Sequence, residues 1–337
     1  MEDNMRLFIT SVTVLVVLIS ICNPEPVEGG RRPGKADGRP TEVLIKAVLA
    51  DIDKISGGDQ SFVANFYFEA RWQDARLAHN QTDIVVRPLH EIWHPQLQFV
   101  NQQKIWFTFP ERVEITPEGE VLYRQRVWGT FSEPLELKNF PFDRQDFSII
   151  LIAVGYGPEE VRFVIDPDSF SGLASKFSQK EWDILSWKPN LTPYVLMEGY
   201  PPRATFTFVF EAERKIGFYI WKVIVPLILI VMMSWIVFWI NPEQFTTQIG
   251  VATTSMLTLI AYRFAMVGLL PNISYLTRMD YFILGATLLV FLALIQAVVT
   301  AMLAESNKIP LAQGIDRWCR VIFPLIFVAI FLFSIIL

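Results

Sequence analysis

Apolar and polar residues follow four successive patterns along the chain. Met5-Arg6 precedes an apolar run from Leu7 to Ile21. That run is short for a membrane span and has the charge-then-apolar order of a signal peptide, expected over residues 1–22. Residues 23–40 are rich in Pro, Gly and charge and read as a flexible leader. From about residue 41 to 217, short runs rich in Val, Ile, Phe, Tyr and Trp alternate with turn clusters such as Ser56-Gly57-Gly58-Asp59 and Gly155-Tyr156-Gly157-Pro158. Runs such as Phe62 to Phe68, Val121 to Val127 and Ala204 to Phe210 predict strands. Many strands at this spacing predict an all-β immunoglobulin-like sandwich. Beyond Gly217 four apolar stretches follow, at about 218–240, 248–270, 281–304 and 318–337. Each is long enough to span a bilayer, which predicts an all-α four-helix transmembrane domain over 218–337. Four spans after a cleaved signal place both termini outside. The inner loops, 241–247 and 305–314, carry too little Lys and Arg to add evidence on orientation.

The second span differs from the other three. It carries Thr253, Thr254, Ser255, Thr258 and Arg263. Polar groups within a bilayer face protein or water rather than lipid. At helical spacing Gly250, Thr254, Leu257, Ala261, Phe264 and Gly268 share one face. A ring of such helices would make a wet lower pore closed by Leu257, able to gate by dewetting. The competing reading is a helix whose hydroxyls bond neighbouring helices.

Composition narrows the function classes. The chain has 337 residues, 52% of them hydrophobic, and a net charge of -5, so no basic excess points to nucleic acid. Its two cysteines, Cys22 and Cys319, lie in apolar segments, so the β region can hold no disulfide and no cysteine metal cluster. His90-Glu91-Ile92-Trp93-His94 spells the His-Glu-x-x-His of zinc proteases. That chemistry needs a helix, to bring both imidazoles to one face. Pro95 pushes His94 toward extended geometry, and in a strand the two rings sit about 13 Å apart. Neither enzyme chemistry, a bound metal nor a cofactor is expected.

Several segments resemble the pentameric ligand-gated ion channels (Cys-loop receptors), and their bacterial branch in particular. They are Trp72-Gln73-Asp74-Ala75-Arg76-Leu77, Trp93-His94-Pro95, Phe140-Pro141-Phe142-Asp143-Arg144-Gln145, Glu181-Trp182, Arg214-Lys215, Pro226 and Leu270-Pro271. The Phe140-to-Gln145 signature loop is the most specific of them. The loop cysteines of the family fall near Glu133 and at Phe147, so its disulfide is absent, and the linker before the last span is short.

The resemblance implies a homopentamer in the cell membrane, with the N-terminal domain outside. A small-molecule agonist or protons would open it between adjacent extracellular domains. Position by position it implies ligand contacts at Tyr67, Phe99, Val154, Tyr156, Tyr194 and Tyr200. Val154 stands where many amine receptors have Trp, which weakens a cation–π cage. Gating would be coupled through Asp53 or Asp59, Asp143, Arg214 and the loop from Pro271 to Tyr275. The inner mouth lacks both the Pro-Ala pair of anion channels and the usual glutamate, where Thr246 stands. Glu243 one turn earlier would supply an acidic ring favouring monovalent cations. The alternative is a membrane-tethered β-sandwich receptor or adhesin without a pore, for which one apolar anchor would suffice.

Overall fold

The structure is a computed structural model that describes residues 32–33, 38–268 and 273–336. The expected signal peptide, most of the expected leader and Pro271 lie outside the described residues.

Among the described residues, twelve strands form the N-terminal domain: β1 Thr41–Ser56, β2 Ser61–Gln73, β3 Val85–Pro88, β4 Leu97–Phe99, β5 Gln102–Phe107, β6 Arg112–Ile115, β7 Glu120–Ser132, β8 Arg144–Ala153, β9 Val161–Ile165, β10 Gly172–Leu173, β11 Trp182–Asn190 and β12 Thr205–Arg214. One sheet has the order β10-β1-β2-β7-β6-β3, with β5 also on β7 and β9 also on β1. The other has the order β11-β12-β8-β4.

Period-two alternation decides which face each strand buries. In β2, Phe62, Ala64, Phe66, Phe68, Ala70 and Trp72 point inward and are buried, while Tyr67, Glu69 and Arg71 alternate outward. Phe147 on β8 and Phe206, Phe208 and Phe210 on β12 come from the facing sheet and are also buried. The sheets meet around Phe62, whose ring lies 5.5 Å from Phe131, 5.3 Å from Phe147 and 5.5 Å from Phe210. Phe147 and Phe210 meet Phe62 edge-to-face and Phe131 stacks on it, contacts that add to the area buried by each ring.

Among the described residues, four helices long and apolar enough to cross a membrane follow: α1 Gly217–Trp239, α2 Phe245–Met266, α3 Arg278–Glu305 and α4 Ile309–Phe331. Their starts differ from the apolar windows for identifiable reasons. At α3 the Thr277 side chain accepts from the Asp280 backbone while the Asp280 carboxylate accepts from Thr277, a capping box that starts the helix ahead of its apolar run. α2 begins before Gln248 because that side chain is buried and donates to the carbonyls of Val237 and Ile240, at 3.3 and 2.9 Å.

The largest correction is at α4, which starts at Ile309 rather than residue 318. Pro310 fits its first turn, where no amide hydrogen is needed. Asp316, a charge that cut the apolar window short, is buried and accepts from Gln296 Nε2 at 2.5 Å. The expected inner loop of 305–314 therefore shrinks to residues 306–308.

Phe62→Ala should cost about 3–5 kcal/mol of the β-domain's stability. Thermal unfolding of the solubilised protein would show a lowered midpoint, whereas Phe170→Ala, at a side chain 69% exposed, should leave it in place.

Candidate functional site

The segment between β7 and β8 contains the signature loop, and it touches three other elements. Asp143 closes the loop and meets Arg214, the last residue of β12. Nε donates to Oδ1 at 2.7 Å and Nη2 to Oδ2 at 3.1 Å. Both side chains are buried. Two buried charges lose their hydration, and only fork-like geometry with further partners offsets that loss. Gln145 Nε2 donates to Asp143 Oδ2 at 3.1 Å. The guanidinium also lies 4.2 Å from the Trp182 ring centre and 4.9 Å from that of Phe140. Trp182 is placed there by the β11–β12 register, which pairs it with Arg214.

Phe140 continues the contact into the membrane domain, with its ring 4.9 Å from Tyr219 at the start of α1. The loop also receives the start of α3. Arg278 N–H donates to Lys138 O at 3.0 Å and Met279 N–H to Phe140 O at 3.3 Å. Helix N-termini leave such amides without intrahelical partners, so the loop carbonyls complete the cap. Leu137 N–H donates to Tyr275 Oη at 2.8 Å, just before α3. The expected pair of Asp143 and Arg214 is therefore brought together.

The other coupling positions are placed differently. Asp53 accepts from Trp128 Nε1 at 2.5 Å, across β2, and Asp59 accepts from Ser56 Oγ at 2.8 Å within its own turn. Neither contact reaches the junction. The residue of the β1–β2 turn that does so is Gln60, whose Oε1 accepts from Leu135 N–H at 2.6 Å and whose carbonyl accepts from Glu133 N–H at 2.9 Å. Gln60 has φ 49°, in the left-handed region uncommon for residues other than Gly. No motif marks it, and Ser56-Gly57-Gly58 announces only a turn. Glu133 at the head of the loop accepts from Ser148 N–H at 2.7 Å, and burial pushes its carboxyl pKa above the ordinary value.

The expected ligand residues divide into groups. Tyr156 follows β8. Its ring lies 5.6 Å from that of Trp93, and its hydroxyl accepts from Trp93 Nε1 at 2.8 Å. Its carbonyl accepts from Ala204 N–H at 3.1 Å, which ties it to the base of the β11–β12 loop. Tyr194 and Arg203 close the neck of that loop with reciprocal backbone bonds of 3.1 and 2.8 Å, and Tyr200 stands exposed beyond them.

Tyr67 lies on the other sheet. Its hydroxyl donates to Glu69, Lys46 Nζ stands 5.7 Å from its ring centre, and the Phe109 ring lies 6.3 Å away. Burial first, and then Glu69, raise its phenol pKa. One chain thus carries two separate aromatic clusters, on different sheets.

Phe99 and Val154 belong to neither group. Phe99 is a core residue, 2% exposed, with the rings of Phe66, Phe68 and Phe131 at 6.1, 5.8 and 5.7 Å. The hydrophobic pattern of β4 turns it inward. Val154 is half-buried, its N–H held by Gln96 O at 3.1 Å. The His-Glu-x-x-His segment is not helical across its length, since Ile92 is extended at φ -126°, ψ 163°.

On α2 the buried positions are Gln248, Ala252, Ser255 and Leu259. Gly250, Thr254, Leu257, Ala261, Phe264 and Gly268 are all exposed, Leu257 at 66% and Phe264 at 76%. The hydroxyls of Thr254, Ser255 and Thr258 donate to carbonyls of their own helix, those of Gly250, Val251 and Thr254, at 2.8, 2.9 and 2.8 Å. Thr254 and Thr258 therefore stand on an open face rather than bonded to a neighbouring helix. Below them Thr246 and Glu243 are exposed, and Glu243 accepts from Asn241 Nδ2 at 3.0 Å.

Removing one member of the junction pair leaves the other charge buried and unpaired. Arg214→Ala should cost about 3–5 kcal/mol, and Asp143→Asn with Arg214→Gln together should cost less than the two single changes summed. A thermal-unfolding double-mutant cycle on solubilised protein checks this, and strict additivity would contradict it. Glu133 gives a pH signature. Its raised folded pKa favours the folded state at pH below the ordinary 4.5, and that contribution is lost as pH rises through the raised value. Glu133→Gln should flatten this part of the stability profile.

Two family matches divide the chain at the same point as the structure. Residues 28–216 match the neurotransmitter-gated ion-channel ligand binding domain, and residues 223–310 match the neurotransmitter-gated ion-channel transmembrane region. The gamma-aminobutyric acid receptor subunit beta-4 of Gallus gallus is 26% identical over 268 residues, which are 77% of this chain and 54% of the relative. The chain thus spans about half the length of that relative. With the ligand-binding family alone matching more than half of its residues, this multi-pass membrane protein belongs to the neurotransmitter-gated ion channels, the pentameric ligand-gated (Cys-loop) family, which are not enzymes.

Proposed function

We propose that the chain is one subunit of a homopentameric, cation-selective channel opened by a small molecule or a proton change at the extracellular domain. The observation that carries this is the open face of α2. Its hydroxyls and glycines cannot face hydrocarbon without cost, and one helix cannot enclose water. A ring of identical subunits satisfies both conditions. Gly250 and Thr254 then line a wide, wet lower pore. Leu257 narrows it with an apolar constriction that closes by dewetting.

The divided aromatic site supports the same assembly. Tyr156, Tyr194 and Tyr200 follow or flank strands of the β8–β12 sheet and Tyr67 sits on the other sheet, an arrangement that supports a site completed where neighbouring copies meet. Movement there would reach the pore through Gln60, the signature loop and the start of α3. The exposed Glu243 side chains at the inner mouth would form an acidic ring that attracts cations. The cysteine-free β region and the short linker at 306–308 favour the bacterial branch.

Recordings from the reconstituted protein test this reading. Reversal potentials should follow the monovalent cation gradient, and Glu243→Gln should move them toward the chloride potential. Leu257→Ala should shift activation to roughly tenfold lower agonist or proton concentration. Wild-type potentials that follow chloride would remove the selectivity claim. Unchanged activation in Leu257→Ala would remove the gate.

A further inference from the structure

Three polar side chains meet inside the inner half of the helix bundle, one each from α2, α3 and α4. Gln248 is 0% exposed, Asp316 1% and Gln296 8%. Gln296 Nε2 donates to Asp316 Oδ1, and the Gln248 amide lies against the same carboxylate. Ala252, Ala293 and Ala312, each one turn from a member of the trio, are buried and small, so no bulky side chain closes over it from those positions.

The donors of both amides are committed. Gln248 Nε2 donates to Val237 O and Ile240 O, and Gln296 Nε2 to Asp316. Their acceptors are not. Oε1 of Gln248 and Oε1 of Gln296 are buried without a partner among the described residues. Buried polar atoms are ordinarily satisfied, so two spare oxygens beside one carboxylate call for an electropositive guest.

Charge narrows what that guest is. Asp316 lies about 10 Å into α4, at 1.5 Å per residue, where an uncompensated charge within a membrane span is expensive. Arg320, one turn further on, is directed elsewhere. Its Nε donates to Phe238 O at 2.9 Å and its guanidinium stands 5.6 Å from the Trp239 ring centre, and it forms no ion pair with Asp316. A water molecule satisfies both amide oxygens but leaves the charge. A proton on Asp316 cancels the charge but reaches only one of the two oxygens. A single alkali cation does both. An all-oxygen ligand set suits a hard cation, and a divalent ion would leave a net charge in an apolar surrounding.

We propose that Gln248 Oε1, Gln296 Oε1 and the Asp316 carboxylate form a structural alkali-cation site inside each subunit, behind the pore wall rather than in it. Gln248 belongs to the buried face of α2, two residues from Gly250 on the open face, so the ion fastens the inner end of that helix to α3 and α4. The ion is held there and not conducted, so the site stands apart from the pore and its acidic ring. Two of the three ligands are amides, which no metal-binding motif announces.

Thermal unfolding of the solubilised full chain in sodium chloride and in N-methyl-D-glucamine chloride, at equal ionic strength, tests the proposal. The wild-type midpoint should stand about 3–5 °C higher in Na+. Asp316→Asn removes the charge and supplies an amide donor to the spare oxygens, and should abolish the difference. Gln248→Met keeps the volume but removes one ligand, and should need at least about fivefold more Na+ for half the shift. Glu243→Gln, at the exposed inner mouth, should keep the full difference. Equal wild-type midpoints, as a structural water alone would give, would overturn the proposal. So would a difference that survives unchanged in Asp316→Asn or in Gln248→Met, or one that disappears in Glu243→Gln.

Discussion

Hydroxyls and exposed glycine backbone on a membrane helix meet hydrocarbon only at a cost, and α2 presents both on one open face. Most of the molecular organisation follows from that constraint. Gln248, Ala252, Ser255 and Leu259 turn toward the subunit's own helices, which orients the opposite face outward. The intrahelical bonds of Thr254 and Thr258 satisfy those hydroxyl hydrogens without a partner helix while leaving oxygen lone pairs for water. The remaining helices hold this orientation. α3 is the most buried of the four, and inside the bundle Gln248 ties α2 to the end of α1 while Gln296 ties α3 to Asp316 of α4.

A wet face is useful as a gate only if another part of the chain can move it. In the proposed gating, the junction would supply a short mechanical path. Asp143 and Arg214 lock the signature loop to the end of β12, which runs on into α1, and the same loop caps α3 with its own carbonyls. In the proposed gating, a rigid loop attached at both places would move α1 and α3 together. The buried ion pair contributes fixed geometry more than net stability, because the cost of desolvating two charges offsets much of their attraction. Packing of the guanidinium on Trp182 and Phe140 leaves it little freedom to choose another arrangement.

Much of this was legible in the sequence, because the patterns involved are local. Alternation along β2 identified the sandwich, apolar length identified the four spans, and helical spacing identified the open face of α2. The junction pair was legible through the resemblance of the Phe140-to-Gln145 loop. What escaped was set by tertiary contact. Asp316 ended an apolar window that the helix itself ignores, because Gln296 satisfies the carboxylate. Phe99 matched a ligand-loop position, yet the strand pairing of β4 turns it into the core. Asp53 and Asp59 carried the right charge for coupling, but the turn delivers Gln60 to the loop through a left-handed backbone that no composition announces.

Water accessibility along α2 tests the central claim most directly. Single cysteines can be introduced in a background with Cys22 and Cys319 replaced, then exposed to a small charged thiol reagent while current is recorded. Modification should alter current at Gly250→Cys, Thr254→Cys, Leu257→Cys and Ala261→Cys, and should have no effect at Ala252→Cys, Ser255→Cys and Leu259→Cys. Equal reactivity around the helix, or reactivity confined to the second set, would contradict a pore lined by this face.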